Sequence, residues 1–212
     1  MNQGGLMGGL YSVFEWITRL AYVNLLWFIF TMAGLIVFTF FPATSAMFAV
    51  IRKWTMGKTE IPVFKTFWKE FRSEFWKSSL IGAVLVAFAI ILYIDFQVFT
   101  SFDGLLGTAL IALSISIAFL YLIVACFIFP VLAHFKLRFW QYFKQALLLG
   151  LSSPAAILSI VITTFILYML LIRIPALLIF FGGSTFAFII MWFAMRTFRR
   201  LEAKQKQQQE ST

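Results

Sequence analysis

Few side chains in this sequence have the types and spacing to do chemistry. There is one histidine, His134, and one cysteine, Cys126, and no pair of either at metal-ligand spacing. No Gly-rich phosphate loop of the Walker type occurs, so ATP binding by this chain is not expected. The long apolar stretches hold no acid; Asp95 falls at the end of one. Proton- or ion-coupled carriers use such intramembrane acids, so that mechanism is not expected either. Cys126 sits in an apolar run and reads as a small packing residue. His134 stands near Pro130 and Lys136 at a membrane surface, where it reads as an interfacial side chain, with pH sensing as the sharper alternative. Neither an enzyme nor a bound cofactor or metal is expected.

The remaining polar candidates are structural. Asn24 and Trp27 lie in the first apolar run, where an amide either reaches headgroups or bonds a neighbouring helix. Gly182 and Gly183, followed by Ser184, form a small-residue patch suited to close helix packing. Pro42 and Gly57 read as backbone punctuation. Ser114, Ser116, Thr163 and Thr164 fall within apolar runs. With Asn24 they could line a path, or simply bond back to their own helices.

The elements that carry these residues are set by the solvent. Hydrophobic residues make up 62% and charged residues 12% of the chain, against roughly 25% charged in a soluble domain. A helix needs ~20 apolar residues to cross ~30 Å of hydrocarbon. Five stretches meet this length approximately, at 22–41, 78–94, 105–129, 153–171 and 176–195. The expected fold is all-α: one integral membrane domain over 1–212, a polytopic bundle of about five transmembrane helices with amphipathic interfacial helices. Residues 10–19 read as a short interfacial helix, with Glu15 and Arg19 paired four apart. Residues 43–77 read as the longest connection. Pro130 is expected to end the third span, and the tail 196–212 is basic and polar. No cleavable signal peptide is evident.

Within the connections, aromatic and basic residues interleave. Phe64, Phe67, Trp68 and Phe71 recur at three- and four-residue steps between Lys65, Lys69 and Arg72. Phe139, Trp140 and Phe143 repeat the texture beside Arg138 and Lys144. Both are amphipathic helices by pattern, suited either to lying on anionic inner-leaflet lipids or to docking a partner. A weak internal echo accompanies them: Phe41-Pro42 and Phe129-Pro130 each precede a Phe-Trp helix and then an apolar span. The net charge of +9 would raise nucleic acid as a partner in a soluble protein. Here the cations flank apolar spans, so anionic lipid explains them and no nucleic acid is expected. Fifteen of seventeen Lys and Arg fall in 43–77, 131–145 and 196–212. The positive-inside rule then predicts a cytoplasmic C-terminus and, with five crossings, an N-terminus outside.

The runs N-L-L-W at Asn24–Trp27, F-P-A-T-S-A-M-F at Phe41–Phe48, R-K-W-T-M-G at Arg52–Gly57 and V-F-K-T-F-W at Val63–Trp68 carry a family likeness. The following E-F-W-K-S completes it. Over about 6–82 the chain resembles the YesL family of bacterial multi-pass membrane proteins; beyond that the likeness is looser. The resemblance implies a bacterial cell membrane and a genomic setting beside carbohydrate ABC importers and polysaccharide-degrading enzymes, notably for rhamnogalacturonan, a pectin component. It supplies no catalytic or ligand-binding residue. It implies an accessory subunit of such an importer, with the permease subunits as partners. The alternatives are a regulatory partner of a sugar-sensing system and an oligomeric channel or facilitator.

Overall fold

The computed structural model describes residues 6–210, with side chains for 8–203 and 207. Gly4, Gly5, Gly8 and Gly9 predict a flexible start; the first two lie outside the described residues, whereas Gly8 and Gly9 are helical. Eight helices follow one another: α1 (Leu6–Ala33), α2 (Phe40–Thr55), α3 (Val63–Ser73), α4 (Phe75–Phe99), α5 (Gly104–His134), α6 (Phe139–Leu151), α7 (Pro154–Leu171) and α8 (Pro175–Glu210). No strand occurs among the described residues. Five of the helices are long and apolar enough to cross a membrane: Gly8–Ala33, Phe75–Phe99, Gly104–His134, Pro154–Leu171 and Pro175–Ala203. The fold is thus the all-α, multi-pass membrane bundle that composition demands. Its exterior agrees, since Leu25, Phe28, Phe88, Phe119 and Phe165 stand exposed around the bundle, which only a lipid solvent makes favourable.

The first apolar run departs most from expectation. Residues 10–19 do not form a separate interfacial helix; they belong to α1, which is continuous from Leu6. The Glu15–Arg19 pair is present on its surface. The helix then stops at Ala33, well short of Phe41. Leu35 takes a left-handed backbone, φ 56°, and the Thr39 hydroxyl donates to the Thr31 carbonyl, 2.9 Å. A Cβ on Gly34 would lie 2.0 Å from Thr39 Cγ2, so only glycine lets the turn close so tightly. Pro42 does not end a span. It sits in the first turn of α2, where a missing N–H costs nothing because that group has no intrahelical partner.

The second departure is α2 itself. The stretch read as the start of a polar-side connection is the most enclosed helix of the bundle. Eleven of its 16 residues are buried, Pro42 to Ile51 and Trp54. Its Ala43, Thr44, Ser45 and Ala46 are small enough to be surrounded by backbones on all sides. It packs on α1, α3, α4, α5 and α8. The chain leaves it through a turn at Gly57, φ 84°, in keeping with that glycine's reading as backbone punctuation. Pro130 is also internal rather than terminal: α5 continues through it to His134.

Helix directions follow from side-chain contacts. Trp27 bonds Thr44 and Trp16 meets Trp54, with ring centroids 6.0 Å apart, so α1 and α2 are an antiparallel hairpin. Trp16 also meets Phe188 at 5.4 Å, while Asn24 bonds Ile179 and Ser184. As α1 advances, α8 recedes, and the two run antiparallel. Five strictly alternating crossings would make the first and last parallel. The contacts instead set the first and last of the long apolar helices antiparallel. The short helix α2 runs back along α1 before the chain turns into α3.

Candidate functional site

The aromatic stripe of α3 turns partly inward. Phe67 is fully buried, and Phe30 of α1 is the ring it packs on, centroids 5.2 Å apart. Phe71 meets the same ring at 5.0 Å and Trp68 at 5.5 Å, with Phe64 at 6.5 Å. Four rings spaced along one helix face thus converge on a single phenylalanine. The outer half of the stripe is free. Phe64 is 51% exposed, Trp68 45%, and Trp76 at the start of α4 78%. Trp68, Phe71, Arg72, Phe75 and Trp76 line an open depression of about 440 Å³ beside exposed Lys65 and Lys69.

The second elbow, α6, is built on Tyr142. This ring is buried; its oxygen accepts the Leu137 N–H at 3.0 Å, and its hydroxyl donates to the Phe135 carbonyl at 3.3 Å. The Arg138 N–H is taken by Gln141 Oε1, 3.0 Å, which closes the first turn of the helix. Phe139 and Phe143 are partly buried with centroids 5.7 Å apart, whereas Trp140 is 71% exposed. The helix folds back along α5: a Cβ on Gly150 would lie 2.1 Å from Ile123 Cγ2. The two elbows therefore share a design, each with an inward aromatic face and an exposed tryptophan beside cations. The proline echo has looser geometry. Phe41 and Phe129 stack at 6.4 Å, yet Pro42 opens its helix and Pro130 lies near the end of its own.

The ends of α2, α5 and α8 meet in a polar junction that sequence reasoning missed. The Arg52 guanidinium donates to the Ala133 carbonyl, near the C-terminal end of α5, where helix carbonyls lack partners. Arg199 donates to the Thr55 carbonyl, 3.2 Å. His134 lies between the rings of Phe135 and Phe198, with Nε2 3.7 Å from a Glu202 oxygen. The available signal was the small-residue run ending at Arg52, which marks a helix that must terminate inside the bundle. No cluster of three metal-ligating side chains occurs among the described residues.

The structural candidates also find definite places. Asn24 is buried, its Nδ2 donating to the Ile179 carbonyl at 2.8 Å and its Oδ1 accepting the Ser184 N–H at 2.9 Å. Of its two readings, it takes the bond to a neighbouring helix. Trp27 Nε1 donates to Thr44 Oγ1, 3.0 Å. Gly183 faces both: a Cβ there would lie 2.9 Å from Asn24 Oδ1 and 3.3 Å from Trp27. Gly182 faces only Leu178 of its own helix. Two of the residues that could line a path are committed to other bonds. Asn24 is committed to α8, and Ser116 donates to the Ala112 carbonyl of its own helix.

Comparison with known proteins gives one family. Residues 20–96 match the family described as "Protein of unknown function, DUF624", the segment from the middle of α1 through most of α4. Three uncharacterized proteins of Bacillus subtilis (strain 168) are similar over nearly the whole length. YteU is 39% identical, over 90% of this chain and 86% of its own. YesV is 35% identical, over 93% and 95% respectively. YesL is 32% identical, over 94% of each. No solved structure matches.

Proposed function

The chain belongs to the DUF624 family, the family of YesL, YteU and YesV, and from that premise we propose that it is a non-catalytic accessory subunit of a carbohydrate ABC importer. Its cargo system is one for pectin-derived, rhamnogalacturonan-type oligosaccharides, and it binds the permease subunits rather than ATP or sugar. The observation that carries this reading is the split use of the two elbows. Phe67, Phe71 and Tyr142 are consumed in holding the bundle together, while Trp68, Trp76 and Trp140 remain exposed beside Lys and Arg. Exposed tryptophans ringed by cations suit an interface with another membrane protein at the headgroup level.

The proposed setting is the bacterial cell membrane with both termini cytoplasmic. The antiparallel run of α1 against α8 supports this, with α2 as the return passage. Fifteen of the seventeen Lys and Arg then gather toward the cytoplasmic side, Arg19 falls within α1, and only Arg173 lies opposite. That is a cleaner positive-inside count than the five-crossing arrangement allows.

Co-purification tests the reading. From native membranes in mild detergent, the tagged chain is expected to recover the permease pair of the importer encoded beside it. Deleting the chain should lower oligosaccharide uptake while leaving induction of the importer genes unchanged. Permeases that purify without it, together with normal uptake in the deletion strain, would overturn the proposal. Altered induction with normal uptake would favour a regulatory partner instead.

A further inference from the structure

A groove of about 370 Å³ opens between α4, α5 and α6. Val84 and Phe88 form one wall, Val124 the floor, and Trp140, Phe143 and Leu147 the other wall. The one hydroxyl among the lining residues, that of Tyr121, is spent on the Leu85 carbonyl, 3.2 Å away. Trp140 carries the other side-chain donor among the lining residues, but no polar atom faces the groove, so it offers a polar ligand no partner. An acyl chain fits it, as apolar clefts select by shape and desolvation.

Exposed cations border the α6 side of the groove. Lys144 lies four residues after Trp140 and three before Leu147, so helical spacing sets it beside the lining face of α6; it is exposed and has no ion-pair partner among the described residues. Lys136 and Arg138 are exposed just before α6. Lys77 lies 5.6 Å above the ring of Tyr142, which is not a lining residue, and Glu74 already neutralises it at 2.6 Å. Toward Ile117 the α5 helix carries no charged side chain at all. The groove is therefore an apolar slot whose α6 wall is bordered by exposed cations.

We infer that this groove is a binding site for one anionic glycerophospholipid. One acyl chain lies along Val84, Phe88 and Val124, and the phosphate sits against Lys144 and Arg138. The inference rests on the membrane-embedded reading and adds a specific lipid to it. A zwitterionic lipid offers the same chain without the net charge, and a partner helix would need acidic residues at the Lys144 end.

Native mass spectrometry of the full chain in mild detergent tests the site, with phosphatidylglycerol and phosphatidylcholine of identical chains as probes. One phosphatidylglycerol should be retained per chain in preference to phosphatidylcholine. Arg138→Gln with Lys144→Gln should cut that preference by about fivefold or more, as expected for cations acting near a phosphate. Val124→Trp or Leu147→Trp, which fill the groove, should abolish retention of both lipids. Equal retention of the two lipids by the unmodified chain, or undiminished retention by both groove-filling variants, overturns the site. Resistance to alkaline carbonate extraction is measured in parallel. Extraction of the unmodified chain by carbonate would instead overturn the membrane-embedded reading.

Discussion

Asn24 and Ser184 are joined across 160 residues of sequence, the carboxamide oxygen accepting the backbone N–H at 2.9 Å. The same amide donates to the Ile179 carbonyl. One side chain thus satisfies both of its ends on the facing helix and fixes its own orientation, since a flipped amide would lose both bonds. Asn24→Ala should destabilise the bundle by about 1–2 kcal/mol, the range for a hydrogen-bonded polar side chain between membrane helices. Asn24→Asp should be worse, because an oxygen would then face the Ile179 carbonyl. Thermal unfolding in mild detergent, followed by tryptophan fluorescence, checks the order. An Asp variant no less stable than the Ala variant would show that the donor to Ile179 contributes nothing.

Adjacent glycines should behave differently. A methyl on Gly183 would press on Asn24 Oδ1 at 2.9 Å and on the Trp27 ring, both held by bonds of their own. A methyl on Gly182 meets only the end of the Leu178 side chain, at 3.3 Å. Gly183→Ala should therefore lower the unfolding temperature. Gly182→Ala should leave it unchanged or raise it, as alanine favours the helix by about 1 kcal/mol over glycine. Equal losses for the two would place the close α1–α8 approach elsewhere.

Much of this fold was legible because a bilayer leaves the chain few options. The spans α4, α5, α7 and α8 could be read from uninterrupted apolar length, and the elbows from aromatic spacing. The hairpin of α1 and α2 could not. Leu35, Ile36, Val37 and Phe38 look like span residues to a hydropathy reading, yet they form its turn, and nothing but Gly34 hinted at the break. The helix α2 hid for the opposite reason. Its small residues are only moderately apolar and it ends in Arg52 and Lys53, so it resembled a loop. Whether Asn24 faced water or a helix depends on what lies opposite, and Gly183 is remote in sequence. The Arg52–Ala133 contact was illegible for the same reason.

The direction of α1 gives a topological prediction. In a Cys126→Ala background, single cysteines at Tyr11, Asp103 and Gln207 report three places. Tyr11 is 72% exposed near the N-terminus, Asp103 precedes α5, and Gln207 is exposed near the C-terminus. An impermeant maleimide on intact protoplasts should label only the cysteine at 103. After permeabilisation all three should react. Labelling at 11 from outside, with 207 protected, would restore five alternating crossings and contradict the α1–α8 packing.

The elbows should separate stability from docking, because their rings divide between two environments. Phe67 is buried against Phe30, and its loss leaves a cavity; Phe67→Ala should cost about 3–5 kcal/mol, as for other buried phenylalanines. Trp68 and Trp140 are 45% and 71% exposed, so the double variant Trp68→Ala/Trp140→Ala leaves most core contacts in place. It should shift the unfolding temperature far less than Phe67→Ala does. Recovery of the permease pair in mild detergent should nonetheless fall several-fold, since truncating exposed aromatic anchors at an interface costs about 2 kcal/mol or more. Insertion, followed by carbonate extraction, should be unaffected. Were the double variant to retain full recovery of the permeases, the tryptophans would serve only as lipid anchors, and the docking role would pass from the elbows to another face of the bundle.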